Sequence, residues 1–458
     1  MHLTRHAREI VPVLHALAQR CHPRSYPGQL YPNGSRMLDV KMGFQPEIGS
    51  VCAPPMDSLA RFFSQNALAA FPVFNASYDG IHPAWRAHAY ESFVDADHTD
   101  RVYAHGPIPT TEDWVAAATL VTFRQYQAMF EGYTAASWTR YSAIIKWKTQ
   151  SPWPGLRGCL YDSYLAVNGA FWGVRAGTGA SDDPLTRLHV QMRQGDGAIL
   201  VVSARSLGHV EGPLYATAYT YDVSTGLSLV LPLTQQVAAP GGSIAPGAVV
   251  VLPLHVSWPN ASQPGTVVLW RLVLTTMPPD PGALPPVSPL SRSEYWLSNL
   301  DADTPTRRPQ NYTALAALRR NPNLAVKIAV NVTNVTLAPN GRLRFVVALT
   351  SPAGAPSLAL GVEICLRDAA ASVRAATGFV DDRVLPSDVS DGVFSIVPGE
   401  THEVVVSADA PSTGPQSLVA LGPHGAVAGW GMPYIRMTGW NVAAVDVPVQ
   451  LPSKVAEL

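Results

Sequence analysis

The sequence has 458 residues, 32 Lys and Arg against 33 Asp and Glu, 47% hydrophobic residues and a mean hydropathy of +0.08. That length calls for more than one domain, and a net charge of −1 gives no electrostatic basis for binding nucleic acid or an acidic membrane surface. No apolar run approaches the ~18 residues that a spanning helix needs, so a soluble chain with no membrane partner is expected.

The four cysteines, Cys21, Cys52, Cys159 and Cys365, lie far apart without CxxC spacing, and the thirteen histidines form no HExxH. Free buried thiols are expected, with no metal site. Six N-x-S/T sequons, at Asn33, Asn75, Asn260, Asn311, Asn331 and Asn334, lean towards a vacuolar or secretory compartment. Met1 to Leu30 carries His2, Arg5, His6, Arg8 and Glu9 and shows no signal-peptide core, so localisation stays open.

In chain order, Leu3 to Arg20 has helical spacing with a kink at Pro12. A turn-rich stretch then leads to Phe44-Gln45-Pro46-Glu47-Ile48-Gly49-Ser50. Glu47 follows a proline that lacks an amide donor and precedes a glycine that lets the chain turn. An isolated carboxylate of this kind is more often a solvated surface group than a catalyst. Met56 to Phe63 reads as a short helix. Ala69 to Pro109 is an excursion rich in Pro, His and aromatics, of a length that is usually functional or disordered, and its aromatics favour an ordered, ligand-facing loop. Thr110-Thr111-Glu112-Asp113 then resembles a capping box, and the apolar spacing from Trp114 to Tyr133 predicts a core helix ending near Trp138.

Tyr141 to Trp147 is a short apolar run that passes directly into polar and aromatic residues. A buried parallel strand ends this way when the loop after it carries a site. In an α/β barrel such loops gather at the carboxyl face. Lys148, Gln150, Trp153 and Arg157 would rim a pocket with the Trp153 indole as one wall, suited to the C–H face of a pyranose. The plainer reading is a Trp and an Arg packed in a strand-to-helix loop. Leu160 to Val174 predicts the following helix, ending near Gly177.

Past Thr178 the pattern changes to short β-branched runs divided by Gly, Pro, Asn and Asp, the signature of β-sandwiches. Pro278 to Pro289 reads as a stiff boundary linker, and Asn340-Gly341 and Pro398-Gly399 as tight turns. The expected domains are 1–178, part of an α/β unit; 179–290, an immunoglobulin-like sandwich; and 291–458, a second sandwich opening on the strand at Arg292 to Leu297.

Phe44-Gln45-Pro46-Glu47-Ile48-Gly49-Ser50, Tyr126 to Gly132, Trp147 to Gly158, Tyr161-Asp162, Arg292 to Leu297, Phe394 to Glu400 and Gly439-Trp440-Asn441 resemble segments of the plant-type mannosylglycoprotein endo-β-mannosidases. These are glycoside hydrolase family 2 enzymes related to the exo-β-D-glucosaminidases. The resemblance implies a multidomain protein, the C-terminal part of a (β/α)8 barrel (its last two strand-helix units) followed by two sandwiches. It implies a retaining hydrolase acting on the Man-β-1,4-GlcNAc bond of N-glycan cores, with an oligosaccharide or glycopeptide substrate and no cofactor or metal. Carried over by motif, Glu47 is the nucleophile, Trp153 the wall beside the cleaved sugar, and Trp147, Arg157 and Asp162 substrate-binding or supporting groups. The family's acid/base residue lies in an Asn-Glu motif, and no Asn-Glu pair occurs here. The chain is therefore expected to correspond to the C-terminal half of such an enzyme, with the N-terminal half as its partner. Exo-β-D-glucosaminidase or β-mannosidase activity is the alternative within the class. A non-catalytic carbohydrate- or protein-binding sandwich protein is the alternative outside it.

Overall fold

The computed structural model describes residues 44–49, 52–70, 82–88, 110–139, 141–156, 159–179, 188–193, 197–203, 209–255, 266–280, 282–287, 289–298, 313–411 and 430–452. The helix expected over Leu3 to Arg20 and most of the aromatic excursion lie outside these residues.

The first unit pairs β1 (Phe44–Ile48) in parallel with β2 (Ala143–Lys146), so that Ile48 lies beside Lys146. Between them come α1 (Met56–Phe62), α2 (Gln65–Ala69), α3 (Pro83–Ala87) and α4 (Thr111–Thr134). The Thr110 hydroxyl accepts the Asp113 amide at 3.1 Å, which fixes the start of α4 where the capping pattern put it. The helix stops at Thr134, four residues short of Trp138. β2 was expected to be buried, yet Ile145 is 51% exposed, because among the described residues β2 hydrogen-bonds only to β1.

The helix after β2, α5 (Gly169–Thr178), begins nine residues later than its apolar content predicts. Residues 160–168 instead form turns, and the Asn168 side chain accepts the Ala170 amide at 2.9 Å as the true cap. The helix ends at Thr178, near Gly177 as expected, with Gly179 at φ +63° as its left-handed cap. Gly169, Gly173 and Gly177 form a stripe on one face of α5, and a Cβ added there would lie 2.2, 2.3 and 2.6 Å from the carbonyl oxygens of Thr119, Phe123 and Gln127. The bare glycine backbone is what lets α5 lie so close against α4.

The first sandwich comprises β3 (Leu188–Arg193), β4 (Ala198–Ser203), β5 (Val210–Glu211), β6 (Leu214–Asp222), β7 (Leu233–Ala238), β8 (Ser243–Ile244), β9 (Val249–His255), β10 (Val267–Thr275) and β11 (Ser291–Ser298). Its sheets run β11-β10-β6-β7 and β3-β4-β9, with β5 and β8 forming a ribbon. Val190, Ile199, Val201, Ala216, Val268, Trp270, Leu272 and Tyr295 belong to its core. The expected boundary at residue 290 does not hold. β11 pairs with β10 along its whole length, from Leu274 beside Ser291 to Val267 beside Ser298, so the proline-rich stretch is a hairpin connection that returns the chain to the same sheet.

After α6 (Thr313–Arg320), the second sandwich contains β12 (Ala329–Leu337), β13 (Leu343–Thr350), β14 (Ala359–Arg367), β15 (Val373–Arg374), β16 (Val380–Asp381), β17 (Asp388–Val389), β18 (Phe394–Ile396), β19 (Thr401–Ala408), β20 (Tyr434–Thr438) and β21 (Val445–Pro448). Its main sheets are β12-β13-β19-β17 and β18-β14-β20-β21. Gly341, at φ +85°, closes the β12–β13 hairpin that Asn340-Gly341 signals.

Polar seams join the units, and two of them reach the second sandwich. Arg271 on β10 is fully buried; it donates to Glu294 at 2.9 Å, to both oxygens of Glu400 at 2.7 Å and to the Ser395 carbonyl at 2.8 Å. Across the other seam, Asp57 of α1 pairs with Arg367, and Arg383 donates to Ser58 at 3.1 Å.

These contacts set two expectations. Gly173→Ala should cost about 1–3 kcal/mol in urea unfolding, since neither backbone can yield without parting the helices. Arg271→Met should cost about 3–5 kcal/mol, because it strands two buried carboxylates. Burial raises the Glu294 pKa, but Arg292 and Arg271 outweigh it and bring it down to about 2. A depressed carboxyl stabilises the fold fully above its unfolded value near 4.5 and loses that contribution as the pH falls towards about 2. Acid titration of stability should therefore be shallower in Glu294→Gln, by on the order of 3 kcal/mol across that window.

Candidate active-site loop

The strand tips fix the geometry. Trp147 donates its amide to the Ile48 carbonyl at 2.8 Å, extending the parallel pairing one residue beyond β2. A Cβ on Gly49 would lie 2.2 Å from the Trp147 carbonyl oxygen, so only glycine lets the chain after Glu47 pass this close to the Trp147 peptide. Glu47 itself lies in β1, next to Ile48, which is 1% exposed and packs with Tyr126, Met129 and Phe130. The segment expected to hold the nucleophile and the segment expected to hold the sugar wall thus leave the sheet side by side.

Trp147 and Trp153 are 54% and 62% exposed, a large apolar surface to leave in water. The Trp153 ring stacks on His88, with centroids 6.5 Å apart and planes at 24°. His88 Nδ1 lies 2.6 Å from the Pro154 carbonyl, to which an Nδ1–H tautomer donates, and the His88 carbonyl accepts the Leu156 amide at 2.9 Å. The end of α3 therefore clamps the loop that carries Trp153. Lys146 is a further group that the sequence did not single out. Its ammonium donates to the Trp147 carbonyl at 2.6 Å and lies 5.1 Å from the Tyr126 ring centroid. Burial pulls its pKa down to about 8, partly offset by Cys52 and Cys159. Lys146 and His88 each stood in plain view, one beside Trp147 and the other inside the aromatic excursion. Only the fold shows which carbonyl each one holds.

Asp162 is 6% exposed, and its Oδ1 accepts the amides of Tyr164 at 2.8 Å and Ala166 at 3.0 Å. It shapes the turn rather than facing the open side of the loop. Beneath, the Cys52 thiol donates to the Cys159 carbonyl at 2.9 Å, and Asn168 donates to the same oxygen at 2.9 Å while capping α5. Arg157 lies outside the described residues. Among the described residues no group of His, Cys, Asp and Glu could hold a metal, and no helix is long and apolar enough to cross a membrane.

With this geometry in place, the chain is similar over most of its length to O-glycosyl hydrolases of glycoside hydrolase family 2. Its curated relatives include a mannosylglycoprotein endo-β-mannosidase of Lilium longiflorum, 26% identical over 439 residues that span 87% of this chain and 42% of the relative. An exo-β-D-glucosaminidase of Amycolatopsis orientalis is 24% identical over 355 residues, 75% of this chain and 29% of that protein. Among solved structures, an exo-chitosanase of Amycolatopsis orientalis superposes with a TM-score of 0.62 at 22% identity, over 88% of this chain and 42% of its own. A β-D-mannosidase of Dictyoglomus thermophilum gives 0.52 at 12%, over 91% and 39%. These enzymes are multidomain proteins with β-sandwich domains, as is this chain. No family model matches the sequence. The chain spans about two-fifths of the length of the endo-β-mannosidase it matches.

Burial pushes the Cys52 thiol up to about 12, with Lys146 pulling the other way. Iodoacetamide at pH 8 should leave Cys52 unmodified in the native protein and alkylate it only after unfolding, as read by peptide mass spectrometry. Asn168→Ala, which removes the cap and the tie to Cys159, should cost about 1–2 kcal/mol and speed that alkylation.

Proposed function

We propose that this chain carries the nucleophile and the sugar-facing loop of a retaining glycoside hydrolase that cleaves the Man-β-1,4-GlcNAc linkage of N-glycan cores. The observation that supports this best is the parallel pairing of β1 with β2, which brings the Glu47 segment and the Trp147–Trp153 loop out at the same end of the sheet. β1, α4, β2 and α5 would be the closing units of a (β/α)8 barrel, whose catalytic groups gather at the strand carboxyl ends. Glu47 would attack the anomeric carbon to form a covalent glycosyl-enzyme. A second carboxylic acid would protonate the leaving oxygen and then activate water. No Asn-Glu pair lies within these 458 residues, so that acid is proposed to come from a polypeptide segment carrying the remaining strands.

Trp153, steadied by His88, would form the wall beside the scissile mannose, with Trp147 next to it. Arg157 would serve a subsite. Asp162 would act by holding the loop's shape. The name of the lily relative supports mannose at this site, while the exo-β-D-glucosaminidases make a glucosamine substrate the alternative.

A test that bypasses the missing acid uses a mannoside whose leaving group needs no protonation. With 2,4-dinitrophenyl 2-deoxy-2-fluoro-β-mannoside, the glycosyl group should remain bound to the peptide containing Glu47, and Glu47→Gln should abolish the adduct. Label on another carboxylate, or none on Glu47 in a protein that also carries the remaining strands, would refute the assignment. In a protein that also contains the acid, Glu47→Gln should lower kcat by several decades while the circular dichroism spectrum stays unchanged. If the chain binds glycans without labelling, the non-catalytic binding reading prevails.

A further inference from the structure

A cleft of about 860 Å³ opens between the first unit and the second sandwich, a volume within the usual range for ligand sites. One wall is the outer face of β14. Strand alternation turns Val362, Ile364 and Leu366 into the sandwich core and leaves Glu363, Cys365 and Arg367 to line the cleft. Arg367 is occupied by Asp57 and Asp382, and on the neighbouring strand Arg436 is held by Asp446 at 2.6 Å. Glu363 differs. Among the described residues it has neither a hydrogen bond nor an ion pair, and burial without a compensating charge pushes its pKa up to about 7. Its carboxyl is half-buried on the cleft wall, open to a hydrogen-bonding group that enters.

The opposite wall is aromatic. Tyr161 and Phe171 line the cleft with ring centroids 5.3 Å apart and planes at 60°. Tyr161 bridges to Gln150, so this wall belongs to the same loop that carries Trp153. The charge pattern narrows the ligand. Seven arginines against four carboxylates line the cleft, which disfavours a cation, while Glu363, without a protein partner, can exchange hydrogen bonds with hydroxyls. A neutral, hydroxyl-rich ligand with apolar C–H faces meets both constraints.

We propose that this cleft is a second, non-catalytic glycan site, in which Glu363 binds the hydroxyls of a neutral mannose-containing oligosaccharide and Tyr161 and Phe171 pack on its C–H faces. The sugar class rests on the glycosidase reading above, but the cleft itself does not depend on Glu47.

The probe is a branched mannotriose with α-1,3 and α-1,6 linkages, titrated calorimetrically into the full chain. Glu363→Leu and Tyr161→Ala should each weaken binding at least tenfold, Glu363→Gln should retain most of it, and Trp153→Ala should leave it within about twofold. Thermal melts monitor folding, and Glu363→Gln guards against a collapsed leucine variant, because it keeps the shape and most of the hydrogen-bonding capacity. Absence of mannotriose binding, or binding lost in Trp153→Ala but kept in Glu363→Leu, overturns the proposal. Labelling of Glu47 by the fluorosugar is read separately, so failure of the cleft and failure of the hydrolase reading remain distinguishable.

Discussion

A helix that buries Arg124, Gln127 and Glu131 must find each of them a polar partner off its own axis, and for α4 those partners lie on the first sandwich. Arg124 donates to the Trp296 carbonyl, Gln127 donates to the Glu294 carbonyl at 3.1 Å, and Glu131 accepts the Tyr295 hydroxyl at 2.7 Å. All three partners sit on consecutive residues of β11. Satisfying them fixes the position of the helix along that strand, and with it everything that packs on the helix. On its other sides Leu120 fills the space above Gly361 of the second sandwich, and Arg319 reaches Asp113 at 2.8 Å. One hydrophobic cluster accordingly runs through all three units, from Phe123 and Trp172 through Tyr221 and Trp296 to Leu360 and Trp440.

That constraint passes to the loop after β2 through close packing rather than through charge. α5 can lie only where its glycine stripe meets the α4 carbonyls, and Asn168 at its head is bonded to the Cys159 carbonyl. The loop is thus pinned at its far end by α5, in its middle by His88 and at its near end by the Trp147 amide on Ile48. What remains free is aromatic surface, namely Trp147 and Trp153. A loop held at three points keeps its indoles in place while they stay in water.

Local signals were legible in the sequence where the physics is local. The Thr110 cap, the Asn340-Gly341 turn and the apolar stripe of α4 each depend on a few adjacent residues, and each appears at its expected position. Long-range competition hid the rest. Residues 160–168 are apolar enough to suggest helix, but Thr149 captures the amides of Leu160 and Tyr161, and Asp162 captures two more. The proline-rich stretch looked like a boundary because composition does not reveal which strand the chain returns to. Glu363 offered a signal that went unused: a single carboxylate within the apolar run Leu358 to Leu366. Such a residue in a strand is either paired across the sheet or turned to a cavity, and its neighbour on β20 is Thr438, not a cation.

The loop that follows β2 has two faces. Its outer bend presents Trp153 near the tips of β1 and β2, and its return limb presents Tyr161 to the cleft beside β14. The two limbs meet at Gln150 and Tyr161, and Asp162 adjoins that junction with its Oδ1 bonded to the turn. A carboxylate placed there holds the path of the return limb through its Oδ1. The outer bend has ties of its own, to His88 and Ser151, that do not pass through the turn. Of the two roles the resemblance leaves to Asp162, substrate-binding or supporting, its bonds to the Tyr164 and Ala166 amides are those of a supporting group at the junction of the two faces.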